Sequence, residues 1–207
     1  MTVLFDFDGT IANTLEATID IYNRICERYS GRKVEFAEVE NLKQLDIPQL
    51  AQELGIPYIK FPLLVLHIQS EMKNYLSNVN IFPGLENSLL LLRKNGYHLG
   101  IVTSNTAQNV NIFLSAHNLT MFDFVYGEKE YFSKGKKIKK VIKKHVKAGE
   151  SVVYVGDEVR DIVAAREAGI ESVAVSWGFN SLEKLTGENP LAVVSDPKQL
   201  ADIIQSL

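Results

Sequence analysis

The chain opens on an apolar run, Val3, Leu4, Phe5 and Phe7, interrupted only by Asp6 and followed at once by Asp8. A strand with one face in water alternates apolar and polar residues, so this run predicts a strand buried inside a sheet, with two carboxylates at its end. The period then changes. Leu15, Ile19, Tyr22, Ile25, Cys26 and Tyr29 recur at helical spacing and predict a helix over about residues 14–30, with Gly31 as its left-handed stop. Phe36, Val39 and Leu42 predict a short second helix. Asp46 ahead of IPQLAQELG reads as an N-cap with an early-turn proline and a closing Gly55. A fourth helix starts from Pro62 and carries Leu64, Ile68, Met72, Tyr75 and Leu76. No strand signal falls between about residues 13 and 80.

From Pro83 the pattern alternates. GLENSLLLLRKNG predicts a helix closed by Gly96, and YHLGIVTSN a strand ending in hydroxyl and amide residues. Asn105 is placed to cap the next helix, which runs to about His117. FDFVYG, SVVYVGD, IESVAVSWG and LAVVS read as further strands; GKKIKKVIKKHV, EVRDIVAAREAG, a short piece from Ser181 and the C-terminus read as helices. Short buried strands alternating with helices predict an α/β fold, a Rossmann-like parallel sheet. The first strand is cut off from the rest by the all-helical stretch. The expected organisation is therefore a core domain of residues 1–13 plus 82–207 and an inserted helical cap domain of residues 14–81, lying over the strand C-termini where such sheets bind ligands.

Composition narrows the partners. The 207 residues are 46% apolar and carry a formal net charge of -3, which gives no reason to expect nucleic acid. The lysine-rich run from Lys134 to Lys147 has Ile138, Val141, Ile142, His145 and Val146 on one stripe, so its lysines are expected to face water. No apolar cluster is long enough to cross a membrane. The single Cys26 cannot form an internal disulfide, and no leader-like stretch precedes the first strand, so a cytoplasmic setting is expected. The four histidines are scattered without metal or triad spacing.

Polar groups recur where strands end: Asp6 and Asp8, Ser104 with Asn105, Lys134 before the basic helix, and Asp157. Strand period two puts Asp6 and Asp8 on one side. Crowded carboxylates repel unless a cation holds them, and an all-oxygen set suits Mg²⁺. The hydroxyl, amide, lysine and the backbone N–H groups of the Gly9 turn are donors for a phosphoryl group. Taken singly, each feature is an ordinary turn or helix cap; their order along one sheet gives them weight.

DFDGT, VTSN, a lysine after a strand, and VGDEVRD resemble, in order and spacing, the four motifs of the haloacid dehalogenase-like (HAD) superfamily over the whole chain. The helical insert and VSWGF resemble its phosphoglycolate phosphatase-like branch. The resemblance implies a Mg²⁺-dependent phosphatase acting on a small phosphorylated metabolite through an aspartyl phosphate. Asp6 is then the nucleophile and Asp8 the general acid and base. Asp6, Asp157 and the backbone carbonyl of Asp8 are the implied metal ligands, and Ser104 and Lys134 the phosphoryl clamp, with Gly9, Thr10 and Asn105 beside them. Asp161 and Glu158 are rivals for a supporting role. Family members often follow the lysine with proline; here FSKGKKIKK leaves Lys136 and Lys137 as alternatives to Lys134. A phosphomutase usually has an apolar residue in place of Thr10, and the dehalogenase branch lacks the second aspartate. A phosphate-binding regulatory protein with little turnover is the reading from another class. Monomer and homodimer stay open, and Asn41 to Gln44 are candidates for substrate selection.

Overall fold

In the computed structural model, which describes residues 1–127 and 134–207, β1 (Thr2–Phe5), β2 (His98–Thr103), β3 (Phe124–Gly127), β4 (Val152–Gly156), β5 (Glu171–Val175) and β6 (Ala192–Val194) form one sheet. Every neighbouring pair is parallel, in the order β3-β2-β1-β4-β5-β6. The order reverses at β1, whose Phe5 is level with Ile101 on one side and Val155 on the other. Such a reversal opens a crevice at the strand C-termini. Asp6, Ser104 and Asp157 each lie one residue past the end of a strand flanking that crevice.

Helices α1 (Leu15–Ile25), α2 (Val39–Leu42), α3 (Ile47–Glu53) and α4 (Phe61–Met72) fall between β1 and β2. The chain leaves and re-enters the sheet region side by side: Ala12 bridges Ile81, and the Asn13 amide donates to the Asn80 carbonyl. The remaining helices are α5 (Leu85–Lys94), α6 (Ala107–Ala116), α7 (Lys134–His145), α8 (Val159–Ala168), α9 (Leu182–Gly187) and α10 (Leu200–Gln205).

The sheet is covered on both faces, which explains why β1 shows no solvent-facing positions. Val3, Phe5 and Phe7 pack on one side with Leu89 and Leu92 of α5, Phe113 of α6 and Ile204 of α10. Phe7 meets the Phe113 ring edge-on at 5.2 Å. Leu4 points to the other side and packs with Val102, Tyr154, Ile138 of α7 and Ala164 of α8. Asp6, just past the strand end, reaches that same side, where it meets Lys134 at the start of α7 and lies near Asp161 in the first turn of α8.

Four local expectations are corrected. The first helix stops at Ile25 and ends in a 3₁₀ turn over Cys26–Tyr29; Ser30, with φ 66°, takes the left-handed position expected of Gly31. Gly31 answers a different need, because a Cβ there would press on the Tyr22 hydroxyl and Ile56. The fourth helix ends at Met72, short of Tyr75 and Leu76. Thr106, not Asn105, caps α6, accepting from the Asn109 amide. Lys137 does not face water but is buried beside Ile138.

Candidate active site

Strand β1 ends at Phe5, so Asp6 and Asp8 sit in the loop beyond it rather than on the strand. Asp6 is held by its own amide, which donates to the Val155 carbonyl. Its Oδ2 accepts from Lys134 Nζ at 2.5 Å, while Oδ1 is buried and has no hydrogen-bond partner among the described residues. Burial favours the neutral acid, but the charges of Lys134 and Arg160 outweigh it and hold the Asp6 carboxyl below the usual carboxylate range. Lys134 also donates to Asp161 Oδ1 at 2.5 Å and lies over the Tyr154 ring. Burial would discharge this lysine, but Asp161 and Asp6 together keep its pKa above the ordinary value.

Asp8 is placed by Asn105. The Asn105 Nδ2 donates to Asp8 Oδ2 at 3.0 Å, and the Asn105 side-chain Oδ1 accepts from the Thr106 amide and from Asn109 Nδ2. That fixes which end of the Asn105 amide faces Asp8. Burial, with the neighbouring Asp6 charge adding to it, pushes the Asp8 pKa up to about 6.

Asp157 closes the far side of the crevice. Thr10 donates its hydroxyl to Asp157 Oδ1 at 2.7 Å, and the Phe179 amide donates to Oδ2 at 2.8 Å. Gly9, at φ 75°, and Gly178 both lie against this carboxylate, and a Cβ on either would collide with it. The Trp177 indole N–H donates to the Thr10 carbonyl at 3.1 Å, so the loop after β5 grips the loop after β1 from two directions. Burial and then the charges of Glu158, Asp161 and Asp6 raise the Asp157 pKa well above its ordinary value.

Asp161 enters from the first turn of α8. Its Oδ2 accepts from the Glu158 amide, a capping box that orients Oδ1 toward Lys134. Oxygens of Asp6, Asp157 and Asp161 lie within 4.8 Å of one another, all buried. Three crowded carboxylates facing one lysine leave excess negative charge, and an all-oxygen trio carrying an unpartnered buried oxygen fits a hard divalent cation. The side chain of Asp8 is outside this trio, in keeping with the resemblance, which implies a metal contact for Asp8 through its backbone carbonyl alone.

The structure thus brings Asp6, Asp8, Gly9, Thr10, Asn105, Lys134, Asp157 and Asp161 together. Ser104 is buried at the same crevice and accepts from Arg160 Nη1 at 3.4 Å. Glu158 turns its carboxylate to Arg160 instead of the trio, at 2.6 Å. Lys136 is exposed and Lys134 is the lysine that touches Asp6. Sequence reasoning missed Arg160 and the Phe179 amide. A signal for Arg160 existed, because a cation in the first turn of a helix opposes the helix dipole and needs compensating anions nearby.

Residues 3–175 match the family model described as haloacid dehalogenase-like hydrolase. The phosphoglycolate phosphatase of Synechococcus elongatus is 29% identical over 206 residues, with 99% of this chain and 97% of that protein covered. The pyrophosphatase PpaX of Bacillus mycoides is 25% identical over 216 residues, covering 100% and 97%. Among solved structures, a predicted phosphatase from Clostridium acetobutylicum has the same fold at a TM-score of 0.83, with 19% identity and 100% and 98% of the two chains covered. With a family model spanning most of its length and these residues gathered at the head of a parallel sheet, the chain belongs to the haloacid dehalogenase-like hydrolases.

Proposed function

We propose that the protein is a Mg²⁺-dependent phosphatase that hydrolyses a phosphomonoester through an aspartyl phosphate on Asp6, with residues 14–81 as a cap over the site. The observation that carries this reading is the state of Asp6: one oxygen is fixed by Lys134, and the other is buried without a partner among the described residues, beside Asp157 and Asp161. A carboxylate kept ionised in a buried site is a nucleophile that needs no deprotonation. Asp6, Asp157 and the Asp8 carbonyl would hold Mg²⁺, which supplies neutralising charge for the phosphoryl oxygens. Support for the relatives' chemistry comes from the phosphatase names they carry, and the two activities named differ in substrate.

Asp6 attacks phosphorus, the bond from phosphorus to the ester oxygen breaks, and the Asp8 acid gives its proton to the departing alkoxide. Asp8, now a carboxylate, takes a proton from water. The hydroxide attacks phosphorus, the bond to Asp6 breaks, and inorganic phosphate leaves with Asp6 and Asp8 restored. A pKa near 6 suits a group that must both give and take a proton near neutral pH. Lys134, Ser104, Arg160 and the Gly9 turn cradle the phosphoryl oxygens, and Asn105 sets the angle of Asp8. The cap excludes water while the first step proceeds.

Phosphate release from an aryl phosphate, measured with Mg²⁺ and with EDTA, tests the reading. Release with Mg²⁺ that EDTA abolishes is expected. Asp6→Asn should abolish turnover, and Asp8→Asn should lower it by about 10²–10⁴. Normal turnover by Asp6→Asn would overturn the mechanism.

A further inference from the structure

A cavity of about 980 Å³ runs from Asp8, Asn105, Lys134 and Arg160 out between the sheet's C-terminal edge and helices α1–α4. It is at the upper end of the range for small-molecule sites, about 300–1,000 Å³. Beyond the polar end, its wall is apolar: Leu15, Ile19, Leu42, Leu50, Val65 and Ile68 line it, and all six are only half-buried. All six pack against the core on one side and leave part of their apolar surface facing the chamber for an occupant to cover.

Charge on the same walls narrows the occupant. Four cations line the cavity among the described residues, and each is already engaged. Lys43 pairs with Glu40 at 2.9 Å, Lys134 with Asp6 and Asp161, and Arg160 with Glu158, while Lys184 donates to the Leu45 carbonyl. Asp46, Glu183 and Glu188 add negative charge to the lining. A second anionic group on the substrate, such as a glycolate carboxylate or the far phosphate of pyrophosphate, would have to compete with carboxylates for each of these cations, including Lys184, which lies in the field of Asp46 and Glu158. An uncharged apolar group meets no such opposition and removes both its own surface and the wall from water.

We propose that this site takes phosphate monoesters of uncharged, largely apolar alcohols, with the phosphoryl group at Asp6 and the alcohol in the chamber walled by Leu15, Ile19, Leu42, Leu50, Val65 and Ile68. The inference rests on the phosphatase reading for the phosphoryl end and adds the class of alcohol. It concerns binding, so it is testable apart from turnover. Ethyl and hexyl phosphonates cannot be hydrolysed and differ only in four methylenes. With Mg²⁺ present, calorimetry on the full chain should show hexyl phosphonate binding at least about tenfold tighter than ethyl phosphonate, and Ile68→Asn should narrow that ratio. Equal affinities, or tighter binding of phosphonoacetate than of hexyl phosphonate, would overturn the inference. In the parallel kinetic arm, ethyl, butyl and hexyl phosphates have leaving groups of matched basicity, so kcat/KM should climb along the series and exceed that for phosphoglycolate and pyrophosphate. Turnover that is flat along the series, or highest for phosphoglycolate, sinks the alcohol class and leaves the phosphatase standing. Tenfold discrimination between the phosphonates without release from any ester sinks the phosphatase reading and leaves the apolar chamber standing.

Discussion

Lys134 is the first residue of α7, and its ammonium lies between Asp6 and Asp161 with almost no exposure. A buried charge of this kind is weak evidence for stability, because desolvation offsets the attraction, yet removing one partner leaves the others unbalanced. Lys134→Ala should therefore lose activity by at least about a hundredfold and also lower the melting temperature, since Asp6 and Asp161 would face each other without their cation. Lys136→Ala, on the exposed side of the same turn, should leave both within about twofold of wild type or unshifted. Steady-state kinetics and thermal unfolding of the two variants check this, and the reverse ranking would reassign the lysine. The sequence offered Lys134, Lys136 and Lys137 as neighbours in one basic run. Only the direction of the first helical turn separates them, and that direction is set by Ile138 and Val141 packing under the sheet.

At the scale of elements, the strands and most helices were legible because burial on both faces of a parallel sheet and on one face of each helix leaves a strong period. Helix ends were less so. Ser30 in the left-handed position and Thr106 in place of Asn105 as a cap reflect choices among adjacent residues that tertiary contacts decide: Asn105 is drawn away toward Asp8, and Gly31 is needed small against Tyr22. Asp123, just ahead of β3, shows how elements are tied together. Its carboxylate accepts from the Leu99 amide of β2 and from Arg93 of α5 at 2.7 and 2.9 Å. Burial would raise its pKa, but the bonds from Arg93 and Leu99 outweigh this and lower it from 3.8. A lowered native pKa contributes stability above the unfolded value, and that contribution is lost as pH falls through the native one. Asp123→Asn should accordingly cost about 1 kcal/mol at pH 7, since the side chain is partly exposed, and the gap should close in acid, once the pH has fallen below the lowered native value. Unfolding curves of both proteins at neutral pH and in acid test it; a gap that persists in acid would mean that the charge is not its source.

For the whole molecule, the carboxylate trio exists only when the ends of β1 and β4 and the first turn of α8 meet. A cation that binds the trio binds the folded chain and not the unfolded one, so Mg²⁺ should raise the melting temperature, by about 2.7 kcal/mol of stability at a hundred times its Kd. EDTA should reverse the shift, and Asp157→Asn should remove it. An unshifted wild type would argue against a divalent cation at this position. The helical segment is tied to the sheet region by a few contacts of its own. Ser181 donates to Gln44 at 2.7 Å, and His117 Nε2 donates to the Val79 carbonyl at 2.8 Å beside the isolated bridge between Ala12 and Ile81. Gln44, at the edge of the stretch expected to select substrate, is thus spent on α9 and Ser181, while the chamber wall is built from apolar residues spread over α1 to α4.

The sequence by itself determined the parallel α/β architecture, the interruption after β1, and the residues that head the sheet, because period and order along the chain are local properties. Asp6 and Asp8 were visible as carboxylates without a solvent face to excuse them. Which oxygen of Asp6 is held, that Asn105 aims Asp8, that Arg160 joins Ser104 and Glu158, and that the chamber beyond is apolar with its cations engaged were decided only by the tertiary structure. Those pairings join residues up to 128 positions apart, and a linear pattern records which groups are present but not which of their atoms meet.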